Sequence, residues 1–388
     1  MKERLMAKIR FGIIGTGGMG TCHLRYMMKM RPVKLTAVCD IIESRAAAAA
    51  SESGAKPFLD HRDLIDSGLV DAVIVATPHY AHAEICIDAM RRGVHVICEK
   101  PLGVSLTPVD KLVRTAKKTG VVFAVMYQWR TRGTFQAAKR MIEAGKLGDI
   151  HRVHWIVPDY RSQAYYDSDS WRATWATEGG GVLVNQAPHY TDMLWYLAGC
   201  PKTVTAKTRT KLHKIEVEDE AEVMLEYPNG ATGYYYTCTT EFPPKHMMRI
   251  VGDKGVLDFE GNTLRFGRLK TSLTRYDKVN KAAWSKPGVV WRDVPVKEPK
   301  EVGHRAITAN FIRAINRPGT KLIAPGVDGI HQVEITCGII LSSMTGKPVK
   351  LPVSRAAYDK LLAKLCRTSI AKDGVKPAAR KEEVTVFS

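Results

Sequence analysis

The tightest constraint in this chain lies near its start. An apolar run, Ile9-Arg10-Phe11-Gly12-Ile13-Ile14, leads into Gly15-Thr16-Gly17-Gly18-Met19-Gly20 and then into a helical stretch through residue 30. A G-x-G-x-x-G pattern alone is weak, because most glycine-rich turns only turn the chain. Here it stands between a strand and a helix, and an acid, Asp40, closes a second apolar run twenty residues beyond Gly20. That context makes it a dinucleotide-binding fingerprint. Gly15 permits the tight turn, Gly17 lets the backbone approach a pyrophosphate, and Gly20 allows the helix to pack against the strand. The helix start, with Thr16, Gly18 and Met19 around it, offers unpaired N–H groups to an anion. A carboxylate at Asp40 accepts hydrogen bonds from adenosine ribose hydroxyls and repels a 2′-phosphate, which favours NAD over NADP. Arg45 is near enough to keep NADP open.

Strand and helix signals continue to alternate, with further strands expected over 35–39, 70–76, 94–98 and 121–125. This is the pattern of a doubly wound parallel sheet, an α/β Rossmann domain over residues 1–130. From about Gly148 the runs become longer and alternate in polarity, over 151–157, 203–211, 221–227, 231–239, 246–251 and 255–259, with a turn at Pro228-Asn229-Gly230. They point to an α+β domain with a large, mostly antiparallel open sheet over residues 131–370. The segment 371–388 is charged and poor in large apolar residues, and is expected to be a loosely held tail.

Bulk properties narrow the partners. The 388 residues suit two domains. The net charge of +19 is spread along the chain without a helix-turn-helix, zinc-finger or RNA-binding signature, so a nucleic-acid partner is not expected. No run of about 18 apolar residues suits a membrane span, and no signal peptide opens the chain; a soluble cytoplasmic protein is the expectation. Eight cysteines stand singly, without the C-x-x-C or histidine-rich spacing of a metal site, and read as buried free thiols.

The fourth apolar run ends in Cys98-Glu99-Lys100-Pro101. Ahead of it stands Ala76-Thr77-Pro78-His79-Tyr80-Ala81-His82, and beyond it a glycine-led segment runs from Gly179-Gly180-Gly181 to Asn185-Gln186-Ala187-Pro188-His189-Tyr190-Thr191-Asp192. Val217-Glu218-Asp219-Glu220-Ala221 and Thr345-Gly346-Lys347-Pro348-Val349 follow in order. On these motifs the chain resembles the glucose-fructose oxidoreductase, inositol dehydrogenase and rhizopine-catabolism (Gfo/Idh/MocA) family over most of its length. The resemblance implies an NAD-dependent oxidoreductase acting on a sugar, sugar derivative or cyclitol, without a metal, and a homodimer or homotetramer joined through the open sheet face. It implies that Ala76, Thr77, Pro78, His82, Glu99, Lys100, Gln128, Trp171 and Arg172 join the glycine turn and Asp40 around the cofactor.

The chemistry can be argued beside the resemblance. Oxidising a secondary alcohol moves two electrons to the nicotinamide and removes the hydroxyl proton, so the site needs a base and a positive group near the oxygen. Lys100, just past a strand's C-terminal end, suits the second role. His189 suits the first, since an imidazole titrates near neutral pH. If the surrounding stretch is helical, Asn185, His189 and Asp192 share a face, with a bend expected at Pro188. Many family members carry aspartate where this chain has Asn185. A neutral amide can orient the ring or a substrate hydroxyl without raising the imidazole pKa. Hydroxyl contacts are sought among Gln128, Arg130, Tyr160, Arg161, Trp171, Arg172 and His304. Two other functions stay open: a glycoside-cleaving enzyme that oxidises a hydroxyl transiently, which Asn185 and nearby tyrosines allow, and a non-catalytic NAD-sensing regulator.

Overall fold

The structure is a computed structural model that describes residues 8–261 and 263–370; the expected tail over 371–388 lies outside them. The first sheet is parallel throughout, with strands β1 (Ile9–Ile14), β2 (Val33–Cys39), β3 (Lys56–Phe58), β4 (Ala72–Val75), β5 (His95–Cys98) and β6 (Phe123–Val125) in the order β3-β2-β1-β4-β5-β6. Its central strands read as continuous apolar runs because both faces are covered, and β4 is buried along its whole length. The reversal of strand order between β1 and β4 opens a crevice at the carboxyl ends of the strands, where such sheets bind ligands. Five strands are legible in the sequence and six are present. β3 is an edge strand of three residues with Pro57 at its centre, too short and too polar to show a period.

The second sheet comprises β7 (Ile150–Ile156), β8 (Thr203–Arg209), β9 (Glu220–Glu226), β10 (Thr232–Cys238), β11 (Met247–Gly252), β12 (Gly255–Glu260), β13 (Thr263–Leu269), β14 (Val289–Asp293) and β15 (Val349–Lys350). Their order is β14-β13-β12-β11-β7-β10-β9-β8-β15, and every pairing is antiparallel except β7 with β10. Burial alternates along β9 and β11, leaving Met224 and Met247 on the uncovered face. β13, β14 and β15 are not anticipated from the sequence. All of β14 is exposed, and its apolar residues Val289, Val290 and Trp291 stand in one run without alternation, while β15 is two residues long.

The chain returns to the first sheet late. The helix Gly303–Asn316 packs against β6 and the helix Gly18–Met28, with Phe311 against Phe11 at 6.2 Å between ring centroids and Tyr26 Oη 2.8 Å from Thr308 Oγ1. Of the eight free cysteines five are buried; Cys22 is exposed, contrary to the expectation that they lie inside, because it sits on the outer side of the first helix.

Between the sheets a guanidinium is buried in a carboxylate clamp. Arg130, in the short helical turn Gln128–Thr131, donates to Asp192 at 2.6 and 2.9 Å and to Asp328 at 2.7 Å, with its plane over Tyr127, Trp195 and Tyr196. Removing Asp192 takes two of these three hydrogen bonds from a guanidinium that water cannot reach and leaves it only the part-exposed Asp328. Asp192→Ala is therefore expected to destabilise the fold by about 3–5 kcal/mol in urea denaturation; a loss below about 1 kcal/mol would show the clamp to be dispensable.

Candidate active site

The glycine turn forms as the motif demands. Gly15 lies at φ +88°, and a Cβ on it would stand 2.7 Å from the backbone of Ala76. A Cβ on Gly20 would fall 1.8 Å from the carbonyl oxygen of Gly15, so the helix start can approach the strand only without a side chain there. Gly17, by contrast, faces open space, with the Arg45 guanidinium 3.9 Å away as its nearest neighbour. No side chain caps the helix Gly18–Met28, which leaves its first amides available to an anion. Asp40 lies at the end of β2. One carboxylate oxygen accepts from Thr16 N at 2.8 Å and Thr16 Oγ1 at 3.1 Å, and the other from Ile42 N at 3.0 Å. It thus holds the turn together, lines the cleft, and keeps about one acceptor site unused.

This turn is one wall of a cleft of about 1380 Å³ that also takes in Ala76, Thr77, Pro78, Glu99, Lys100, Gln128, Trp171, Arg172, Asn185 and His189. Ordinary small-molecule pockets run to about 300–1,000 Å³, so there is room for a dinucleotide and a second ligand. Thr16 and Gly20 lie beneath this wall, buried in the turn itself. His82 also borders the cleft, but both ring nitrogens are occupied: Nδ1 is 2.7 Å from the Pro101 carbonyl and Nε2 2.7 Å from that of Thr77. It ties two cleft-lining turns together and has no free nitrogen to offer a ligand.

Lys100 extends from the end of β5 and donates to the backbone carbonyl of Asn185 at 2.8 Å. Burial lowers its pKa, while the adjacent Glu99 and the nearby Glu178 work against that. Beneath it Glu99 accepts from the Lys100 amide at 3.2 Å and meets His23 Nε2 at 2.7 Å; His23 in turn meets Tyr26 Oη at 2.7 Å. Burial opposes a charge on Glu99, but the hydrogen bond with His23 and the surrounding cations outweigh it and hold the carboxyl well below the usual range. His304 lines the same cleft 4.0 Å from Glu99, and burial pushes its imidazole down to about 4. His23 carries no signal in the sequence beyond its place three residues after the last glycine of the turn.

His189 opens the helix Pro188–Ala198. Pro188 stands in its first turn, where a missing N–H is harmless, so it starts the helix and produces no bend. Asn185 precedes the helix, and the expected single face of Asn185, His189 and Asp192 does not exist: Asp192 points into the clamp with Arg130. His189 Nε2 lies 3.2 Å from the amide of Gln128, and its ring stacks at 10° on Trp129. Its Nδ1 and the Gln128 Oε1 have no hydrogen-bond partner among the described residues. Turning the Gln128 amide satisfies Oε1 with the Nε2 proton and leaves an unpartnered lone pair on Nδ1, an atom itself buried. Burial first, then the charge of Lys100, holds the imidazole well below its ordinary pKa.

The side chain of Asn185 turns away from His189. Its Nδ2 donates to the buried carboxylate of Glu178 and, at 3.2 Å, to Tyr165 Oη. Tyr165 also receives Arg172 at 2.7 Å and Gln186 at 3.0 Å. A carboxyl group therefore stands behind the amide, supplied by Glu178, which adjoins the glycine run and carries no motif signal in the sequence. That loop is held by Glu218, which accepts from Gly181 N at 2.9 Å and Leu183 N at 3.1 Å. Two candidates for hydroxyl contact are corrected. Arg130 is spent on Asp192 and Asp328, and Tyr160 is exposed and packs on Phe242. Arg161, Trp171, Arg172, Gln128 and His304 do line the cleft.

A parallel sheet with a dinucleotide turn, joined to a site with a free imidazole and a lysine, defines an NAD-binding oxidoreductase of two-sheet design. Known proteins agree. Residues 9–127 match the model of the oxidoreductase family with the NAD-binding Rossmann fold, and residues 135–258 match the Gfo/Idh/MocA C-terminal domain. The chain belongs to the Gfo/Idh/MocA family. It is 29% identical over 243 residues to the rhizopine catabolism protein MocA of Rhizobium meliloti, covering 62% of this chain and 74% of that one. It is 26% identical to the scyllo-inositol 2-dehydrogenase (NAD(+)) of Bacillus subtilis, over 90% of this chain and 98% of the relative. The WlbA dehydrogenase of Bordetella pertussis, solved with NADH and UDP-GlcNAcA, superposes with a TM-score of 0.75 at 28% identity, covering 89% of this chain and all of that one. Among the described residues no group of histidine, cysteine or acidic side chains is placed to hold a metal, and no helix is long and apolar enough to cross a membrane.

The depressed pKa values set a pH signature. A base held below its ordinary value stays unprotonated as the pH falls, so the acid limb of kcat/KM is expected below about 6.5; Lys100 loses its charge early, so the alkaline limb is expected below about 10.4. Rate measurements across pH check this, and an acid limb above about 6.5 would assign the base to another group.

Proposed function

We propose that this protein oxidises a secondary hydroxyl of a sugar, sugar derivative or cyclitol, with NAD bound along the glycine turn. The observation that carries the reading is the partnerless Nδ1 of His189, buried in the cleft that holds Lys100. Gly15 to Gly20 would hold the pyrophosphate, Asp40 the adenosine ribose, and Ala76, Thr77, Pro78, Glu99 and Gln128 the nicotinamide end, with Trp171 and Arg172 closing over it. Bound there, the nicotinamide supplies the two-electron acceptor. The residues of the chain do the rest. Lys100 donates a charge-assisted hydrogen bond to the substrate oxygen and stabilises it as negative charge develops. The His189 imidazole takes the hydroxyl proton, and Gln128 and Trp129 fix the ring's direction. Asn185 holds the loop over Lys100 through its carbonyl and braces Glu178 and Tyr165 with its amide. The relatives named above, a scyllo-inositol 2-dehydrogenase and a dehydrogenase solved with NADH and UDP-GlcNAcA, support this substrate range.

His189→Ala and Lys100→Ala are each expected to lower turnover by at least about 100-fold with cofactor affinity largely kept. A panel of cyclitols, sugars and sugar nucleotides with NAD, read by NADH formation against product, tests both variants. Near-normal turnover in either would sink its assignment, and product without NADH would point to transient oxidation.

For the cofactor, the Asp40 carboxylate favours NAD, while the Arg45 guanidinium beside Gly17 could meet a 2′-phosphate if that carboxylate were gone. Asp40→Ser is expected to raise the ratio of NADP to NAD in kcat/KM by at least about tenfold, and Arg45→Ala on that background to reverse the gain. An unchanged ratio would remove Asp40 as the determinant.

A further inference from the structure

The arginines around the substrate end of the cleft differ in one respect. Arg130 is clamped by Asp192 and Asp328, Arg161 pairs with Asp159 at 2.8 Å, and Arg172 meets Tyr165 at 2.7 Å with Glu178 at 3.7 Å. Arg132 also lines the cleft, yet its guanidinium has no ion-pair or hydrogen-bond partner among the described residues. It lies 4.4 Å over the ring of Trp129, the indole that also stacks on His189. Burial lowers its pKa, with Tyr190 and Glu298 the nearest groups that oppose this. Glu298 is not within ion-pair distance of it; its carboxylate receives the Gly133 amide at 3.1 Å.

A partly desolvated guanidinium without a counter-ion is costly to keep. The stacking on Trp129 holds its plane in place and preserves all of its N–H donors for something else. A planar fork of that kind fits a carboxylate or a phosphate in bidentate fashion.

We propose that Arg132 is the specificity-determining residue of this site and that the substrate is an anionic sugar derivative, whose carboxylate or phosphate docks on Arg132 while a ring hydroxyl reaches His189 and Lys100. The inference rests on the oxidoreductase reading and narrows it to acidic substrates. The imidazole and the guanidinium share one indole as their platform, so substrate charge and reacting hydroxyl are held by a single rigid element. No atom of the reaction passes through Arg132; it sets which molecule is bound and how it lies.

The test uses the full chain loaded with NADH and matched ligands that differ by the charged group. D-Glucuronate against D-glucose and UDP-glucuronate against UDP-glucose read the carboxylate, and D-glucose 6-phosphate against D-glucose reads the phosphate. In calorimetry the acidic member of at least one pair is expected to bind at least about tenfold tighter than the neutral one. Arg132→Gln should cut that ratio below about threefold, and Arg132→Lys should retain part of it, because charge survives without the fork. Equal binding within every pair, no binding of any acidic member, or an Arg132→Gln effect equal on both members would overturn the inference. NADH formation from neutral sugars under those outcomes would leave the oxidoreductase reading standing. Anion-selective binding without NADH formation from any member, with NAD supplied, would overturn that reading and leave Arg132 as a binding residue.

Discussion

One buried guanidinium fixes the geometry on which the site depends. Arg130 joins three segments distant in sequence: the turn Gln128–Thr131, the helix Pro188–Ala198 through Asp192, and the turn Gly326–Asp328. Two charges shut off from water, Arg130 and Asp192, tolerate few alternative arrangements, since separating them would strand both; the part-exposed Asp328 adds a third anchor. The neighbours of Arg130 in sequence are Gln128, Trp129 and Arg132, and the neighbour of Asp192 on its helix is His189. Holding the clamp closed therefore holds Trp129 flat against His189 and Gln128 at hydrogen-bond distance. The catalytic machinery proposed above borrows its precision from a pair that touches neither substrate nor cofactor.

The charge balance around Lys100 has the same indirect character. Its ammonium is desolvated, its nearest acid is fixed beneath it by His23, and a second acid, Glu178, is reached only through Asn185. Replacing a carboxylate by asparagine at position 185 does not strip the site of negative charge. A carboxyl stands one residue layer outward instead, at Glu178, where burial raises its pKa and Arg172 opposes that rise.

Much of this was legible in the sequence because it is local. The glycine turn, Asp40, the Glu99-Lys100-Pro101 turn and the alternation of the second sheet each arise from a few adjacent residues whose geometry leaves small choice. What the sequence hid is long-range. The pairing of Arg130 with Asp192 and Asp328 spans much of the chain, and a polar side chain near a site in sequence reads equally well as a ligand or a strut. Proline at 188 misled for a similar reason, since the same residue kinks a helix interior and initiates a helix start, and only the true boundary decides between them. The edge strands β3, β14 and β15 escaped because they are short or uncovered and carry no periodic burial.

The late return of the helix Gly303–Asn316 to the first sheet has a consequence for how the protein is made. Synthesis runs from the N-terminus, so the dinucleotide-binding sheet leaves the ribosome with Phe11 and the side of Tyr26 that meets Thr308 still lacking their cover. Nearly two hundred further residues, including the whole run of β7 to β14, must be translated before that cover arrives. The nascent first domain must therefore wait with apolar surface bare while its neighbour assembles. The order of folding inside the cell then follows from where one helix sits in the chain, a constraint on biogenesis that the finished structure conceals.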